Sequence, residues 1–74
     1  MEIETKAATL RAITVDALRA DGDAWGEVIE ARDMGAGAAL IKEFEGDARA
    51  ANAYAIACVD AYTALLRQLR GKAA

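Results

Sequence analysis

Few residues of this sequence could carry out chemistry. Histidine and serine are absent from its 74 residues, and the only cysteine is Cys58. Without histidine there is no ordinary general base that titrates near neutral pH, and a cysteine without an imidazole partner lacks its usual activating base. The carboxylates that remain fall at predicted helix ends and on solvated faces. We therefore predict that the protein is not an enzyme, and we assign no catalytic residue.

A metal site is the other chemistry that the spacing suggests. Residues 21–28 begin like a calcium loop, with acids at the first and third positions and glycine at the sixth. Such a loop also needs an oxygen ligand at the fifth position and a bidentate glutamate at the twelfth, where this chain has Trp25 and Arg32. A zinc site would need four nitrogen or sulfur ligands. We predict a capped turn here, with no metal and no cofactor.

The elements that would position any site are helices. Alanine fills 20 of the 74 positions and proline none, which favours helix throughout. Breaks are expected at Asp21-Gly22-Asp23 and Gly46-Asp47, since glycine suits the residue after a helix and aspartate caps the next one. The sequence thus predicts an all-α single domain, 1–74, with helices at about 3–20, 24–45 and 48–70. They would form a small up-down-up three-helix bundle.

The middle helix contains an irregular stretch, Met34-Gly35-Ala36-Gly37. Either this helix is kinked or broken at Gly35–Gly37, or it is continuous and buried on two sides. Two explanations for the glycines remain open. The preferred one is close packing of the glycines against the alanine-rich segment 48–57 of the third helix, and the alternative is a mobile joint used in binding.

The third helix has the clearest apolar pattern. One row of apolar or small residues recurs at steps of four and three, and a second row widens it: Ala51, Ala55, Cys58, Tyr62, Leu65 and Leu69, then Ile56, Val59, Thr63 and Leu66. A stripe this wide indicates contact with more than one neighbouring helix. A chain of this size buries only about 60% of its unfolded surface, so its stability is marginal. Without a disulfide or a metal, self-association into a homo-oligomer is the expected supplement.

Apolar side chains left over from such a core predict where a partner binds. The expected contact surface lies around Met34 and Ile41 or around Tyr54. Trp25 is a further candidate because tryptophan is enriched among binding hot spots. Burial of Trp25 in the core and a half-buried Tyr54 on a lone bundle are the alternatives.

The charge is unevenly distributed along the chain. The net charge of −3 combines −6 over residues 1–47 with +3 over residues 48–74. The net charge argues against nucleic acid as a partner, since neutralising phosphates supplies much of that affinity. Arg67, Arg70 and Lys72 are the alternative nucleic-acid contacts, although cations at a helix C-terminus also offset the helix dipole. Antiparallel packing is expected to bring the acidic segment 21–30 beside this basic end.

A location and a function complete the predictions. No apolar run approaches the length of a membrane span, and the N-terminus lacks the basic start of a signal peptide, so a cytoplasmic protein is expected. The leading hypothesis is a protein-interaction module, a small helical adaptor or inhibitor that binds another protein through a helical face. Short alanine-rich chains of this kind are often phage or mobile-element products that block a host protein. The alternatives are a nucleic-acid-associated regulator and, more remotely, a site for a small anion near Lys42 or Arg49.

Overall fold

The computed structural model describes residues 2–73, with side chains for residues 2–71. These residues form two long helices, α1 from Glu2 to Asp33 and α2 from Ala38 to Ala73. A short turn, 34–37, reverses the chain, so that the helices pack side by side as an antiparallel hairpin. The hairpin measures 55 × 15 × 14 Å. No strand occurs among the described residues.

The two helices meet along one continuous line of buried and half-buried residues, which we call the seam. Its members recur at alternating steps of four and three on both helices: Ile3, Ala7, Leu10, Thr14, Ala17, Asp21, Ala24, Val28 and Ala31 on α1, and Ile41, Phe44, Ala48, Ala51, Ala55, Cys58, Tyr62, Leu65 and Leu69 on α2. An average step of 3.5 residues is the heptad pattern of a coiled coil. The hairpin is therefore an intramolecular antiparallel coiled coil.

The middle of the seam is built from small side chains. Ala17, Ala55 and Cys58 form its buried cluster, and Val28 is the largest side chain that is fully buried. The Thr14 hydroxyl lies 2.7 Å from the Leu10 carbonyl oxygen of its own helix and 3.3 Å from the Cys58 carbonyl oxygen of α2. A side chain as short as threonine reaches the opposite main chain only when the two backbones approach closely. The close approach leaves no room for large side chains in this middle part of the seam.

The turn between the helices ends α1 with a Schellman motif. The Gly35 N–H donates to the Arg32 carbonyl at 3.1 Å, and the Ala36 N–H donates to the Ala31 carbonyl at 2.9 Å. This pattern needs a left-handed residue just past the C-cap, which here is Met34, and Gly35 supplies it with φ of 74°. The carbonyl of Gly37 then accepts the first hydrogen bond of α2, from Ile41 at 3.1 Å. Gly35 and Gly37 thus make the one chain reversal in the described residues.

The chain is all-α as predicted, but the three-helix bundle is wrong. The predicted breaks at Asp21-Gly22-Asp23 and Gly46-Asp47 lie inside α1 and α2. An interior glycine costs about 1 kcal/mol in a helix. Here the seam keeps its phase across both segments, so that a break would forfeit the packing on either side. Of the two possibilities for the middle helix, the break at Gly35–Gly37 is the one that occurs.

Two further expectations about packing are also wrong. Nothing lies within 4 Å of the position that a Cβ would take at Gly35 or Gly37, so these glycines do not allow a close approach of helices. The acidic segment 21–30 does not lie beside the basic end of the chain. A single hairpin places residue 21 next to residue 52 and residue 32 next to residue 45, as the Asn52–Asp21 and Arg32–Glu45 contacts show.

Candidate interaction surfaces

The hairpin has two broad faces, one on each side of the seam. Consecutive helical residues are rotated by about 100°, and the two helices run in opposite directions. Residues one position after the seam therefore share one face, and residues one position before it share the other. The Arg32–Glu45 ion pair of 2.9 Å joins two residues of the first kind across the helices. Glu30 and Leu40, both of the second kind, line one pocket together.

The first surface, which we call the apolar face, carries most of the exposed large apolar side chains. The positions that form it are Glu4, Ala8, Arg11, Val15, Leu18, Gly22, Trp25, Ile29 and Arg32 on α1, with Lys42, Glu45, Arg49, Asn52, Ile56, Val59, Thr63, Leu66 and Arg70 on α2. Of the ten exposed large hydrophobic residues of the hairpin, six belong to this face. Leu18 is 49% exposed although it lies at mid-length of the hairpin. The apolar face is thus a second hydrophobic stripe that the hairpin itself does not cover.

Polar contacts on the apolar face lie toward the turn. Glu45 accepts a hydrogen bond from Arg32 at 2.9 Å and forms a salt bridge with Arg49 at 3.5 Å. The Asn52 amide donates to Asp21 Oδ2 at 3.3 Å, while Asp21 Oδ1 is buried without a hydrogen-bond partner. Exposed ion pairs contribute at most about 1 kcal/mol each. These contacts leave the apolar centre of the face uninterrupted.

The opposite surface, which we call the acidic face, is dominated by carboxylates and alanines. The positions that form it are Glu2, Lys6, Thr9, Ile13, Asp16, Ala20, Asp23, Glu27 and Glu30 on α1, with Leu40, Glu43, Asp47, Ala50, Tyr54, Ala57, Ala61, Ala64 and Gln68 on α2. Seven of these residues are acidic and only Lys6 is basic. By contrast, the apolar face carries five basic residues against two acids, Glu4 and Glu45. The hairpin therefore places most of its carboxylates on one face and most of its basic side chains on the other. This separation is not visible in the order of the residues along the sequence.

A pocket of about 360 Å³ opens on the acidic face at the turn. Its apolar lining comes from the last turn of α1, the turn itself and the first turns of α2, and two carboxylates complete it: Ala31, Met34, Ala36, Leu40 and Phe44, with Glu27 and Glu30. The Schellman turn positions Ala31 and Ala36 against each other at the base. This is an open, mainly apolar pocket whose lining includes two glutamates.

The structure does not bring the four predicted protein-binding residues together. Met34 is 78% exposed at the turn, where it lines the pocket, and Ile41 is half-buried in the seam. Trp25 lies on the apolar face. Tyr54 lies on the acidic face and is 59% exposed. Its contact with the buried Cys58 thiol raises the pKa of Tyr54 above the ordinary phenol value, first through a hydrogen bond and then through charge.

The basic residues named as alternative nucleic-acid contacts lie at the open end of the hairpin. Arg67 and Arg70 are both exposed there, and the side chain of Lys72 lies outside the described residues. Arg70 belongs to the apolar face, whereas the Arg67 side chain lies on the side of α2 opposite the seam. The basic side chains within residues 2–71 do not form one basic stripe along the hairpin.

Sequence reasoning missed two features of these surfaces. Leu18 was not among the predicted contact residues, and Glu27, Glu30 and Phe44 were not predicted to lie together. The sequence did contain a signal for the second hydrophobic stripe. One position after the seam, the same spacing recurs at Val15, Leu18, Trp25 and Ile29. The pocket had no such signal, because its lining comes from both sides of a chain reversal that was predicted only as a possible kink or break at Gly35–Gly37.

Neither α1 nor α2 has a stretch apolar and long enough to cross a bilayer, over the residues that the structure describes. Comparisons of the chain with known protein families, with curated proteins and with solved structures find no match.

Proposed function

We propose that this chain is a non-catalytic protein-interaction module that pairs with a second copy through its apolar face and binds another protein with the surface that remains. The observation that carries the proposal is the second hydrophobic stripe. Four of its residues lie at similar distances from the turn, two on each helix, and all four are exposed in the single hairpin. They are Val15, Leu18, Ile56 and Val59. Contiguous exposed apolar patches of this kind are typical of interaction sites.

The accessible area supports an additional partner. A compact monomer of 7.8 kDa exposes about 4,400 Å² by the scaling of surface with mass. This hairpin exposes 5436 Å². The difference, on the order of 1,000 Å², is similar to the roughly 800 Å² that each partner contributes to a standard interface. A face as long and as wide as the hairpin, 55 by 15 Å, offers about that area.

The angular offset between the seam and the second stripe favours a second copy of the hairpin as the partner. Displacement by one residue rotates the stripe by about 100° from the seam. In a square four-helix bundle each helix contacts two neighbours at nearly a right angle, one within its hairpin and one across the interface. In this chain the second stripe of α1 and the second stripe of α2 lie on the same face of the hairpin. Two hairpins stacked on their apolar faces would meet this geometry.

Such a pairing leaves the acidic faces outward, one on each side of the four-helix bundle. That arrangement disfavours nucleic acid as the partner, because the outer surfaces would repel phosphates. Another protein is the partner that we propose for them, in the manner of a small adaptor or inhibitor. A cytoplasmic location is part of this proposal, supported by the single buried thiol, Cys58.

Thermal unfolding at several protein concentrations tests the proposal. If folding is coupled to pairing, the melting temperature rises with concentration by mass action, by several degrees between about 1 and 100 μM. Helix content at 222 nm by circular dichroism is the measurement, and Gly26→Ala, on a surface away from the seam and both faces, serves as a variant that keeps this dependence. A melting temperature that is the same at all concentrations would count against a paired module.

A further inference from the structure

We infer that the pocket at the turn binds a basic amphipathic helix of another protein, which inserts a large apolar side chain beside Glu27 and Glu30. The inference rests on the proposed function, since it names the partner of an interaction module. It concerns the acidic face alone, and the apolar face contributes no residue to the pocket. The two surfaces can therefore be tested independently.

The pocket has the size and lining of a site for a side-chain anchor. Its volume of about 360 Å³ is at the small end of the range of ligand pockets, roughly 300 to 1,000 Å³. Its apolar lining is supplied by Ala31, Met34, Ala36, Leu40 and Phe44. Met34 is 78% exposed, and a methionine side chain adapts to partners of different shapes. One or two large aliphatic or aromatic groups would fill this space.

Charge selects the kind of segment that carries the anchor. Glu27 and Glu30 border the pocket on α1, and Glu43 and Asp47 continue the acid surface on the first turns of α2. Lys6 is the one basic residue of the acidic face and lies near the other end of the hairpin. Arg32, the nearest base in sequence to the pocket, pairs with Glu45 on the apolar face. Lysine or arginine beside the anchor would meet carboxylates on both helices.

A helix is the partner geometry that fits these two requirements together. An amphipathic helix presents apolar side chains at spacings of three and four residues and flanks them with cations, which matches a groove between two helices. A nucleic acid would carry the wrong sign of charge. A second copy of this chain could bind here only with the basic residues of its apolar face. That face would then be unavailable for the proposed pairing with another apolar face.

The test uses the full chain and a synthetic probe. The probe is a fluorescein-labelled amphipathic helix of about 16 residues, made of leucine on one face and lysine on the other. Its control has glutamate in place of every lysine. Fluorescence anisotropy at about 0.15 M salt gives the affinity. The variants are Glu27→Lys/Glu30→Lys, Leu40→Ala, and the matched charge control Asp16→Lys/Asp60→Lys, which changes the net charge equally but lies away from the pocket.

We expect the lysine probe to bind the wild-type chain, with at least tenfold weaker binding to Glu27→Lys/Glu30→Lys and to Leu40→Ala, and less than threefold weaker binding to the control variant. Circular dichroism of each variant verifies that the helices are retained. Equal losses for the pocket and control pairs would mean diffuse charge attraction, and the inference would be wrong. Binding of the glutamate probe with similar affinity, or no binding of either probe, would overturn it as well.

Light scattering on the same samples separates this inference from the proposed function. A mass that stays at twice the chain mass while the probe fails to bind rejects the pocket alone. A mass that falls to that of one chain plus one probe shows that the probe occupies the apolar face, which also contradicts the inference. A single-chain mass without probe rejects the pairing and leaves the affinities of the pocket variants to decide the pocket.

Discussion

Leu18→Glu is expected to separate the paired hairpins into single chains. Leu18 is 49% exposed in one hairpin, so the substitution removes little packing within it, and both residues are good helix formers. In the proposed interface the same position lies at mid-length of the apolar face, and each pair would bury two new carboxylates. Burying an unpaired charge costs several kcal/mol, so we expect the dissociation constant to rise at least about a hundredfold.

Ile13→Glu is the matched control for this result. Ile13 lies on the same helix with similar exposure, 41%, but on the acidic face. Sedimentation velocity should show a single-chain species for Leu18→Glu at concentrations where Ile13→Glu keeps the wild-type value. The account would be contradicted by a paired Leu18→Glu, or by an Ile13→Glu variant that dissociates to the same extent.

Ala55→Leu should destabilise the hairpin itself. Ala55 is 1% exposed and packs in the narrow part of the seam with Ala17 and Cys58. Threonine's short side chain already spans the gap there, with Thr14 Oγ1 at 3.3 Å from the Cys58 carbonyl oxygen. The additional carbon atoms of leucine can enter only if the helices move apart. Overpacking of this kind costs about 1 to 3 kcal/mol.

Ala53→Leu provides the control for the seam substitution. Ala53 is exposed on α2, two residues from Ala55, and both changes add the same side chain. Urea unfolding at one protein concentration should give a lower midpoint for Ala55→Leu and a nearly unchanged one for Ala53→Leu. A gain in stability from Ala55→Leu would mean that the helices are not held together by small side chains.

Composition was sufficient to predict the helices but not their number. The alanine content and the row from Ala51 to Leu69 fixed the character of α2 correctly. The glycine at position 22 has the same local neighbours as a helix end, with an aspartate on each side, and nothing within that segment decides between a break and a continuous helix. The decisive information is the seam spacing, which runs from Ile3 to Ala31 without a change of phase. Propensity and capping signals do not include that long-range order.

Which residues share a surface depends on how the two helices pair. The apolar face and the acidic face could therefore be predicted only in part. Trp25 and Tyr54 were named as candidate contact residues, but the prediction of three helices gave them the wrong neighbours. Which charges share a face follows only from the position of the turn. Once Gly35 reverses the chain, Glu27 and Glu30 come beside Leu40 and Phe44, and an acidic pocket results. A single sequence contains those residues but not their proximity.

The mass of the wild-type chain in solution tests the central proposal most directly. Light scattering coupled to gel filtration, over a range from about 1 to 100 μM, should give twice the chain mass of 7.8 kDa at the upper end and a constant value there. A mass of 7.8 kDa at every concentration would contradict the pairing of apolar faces. A mass that keeps rising without a plateau would contradict it too, because stacking of the apolar face on the acidic face of the next copy has no closed end.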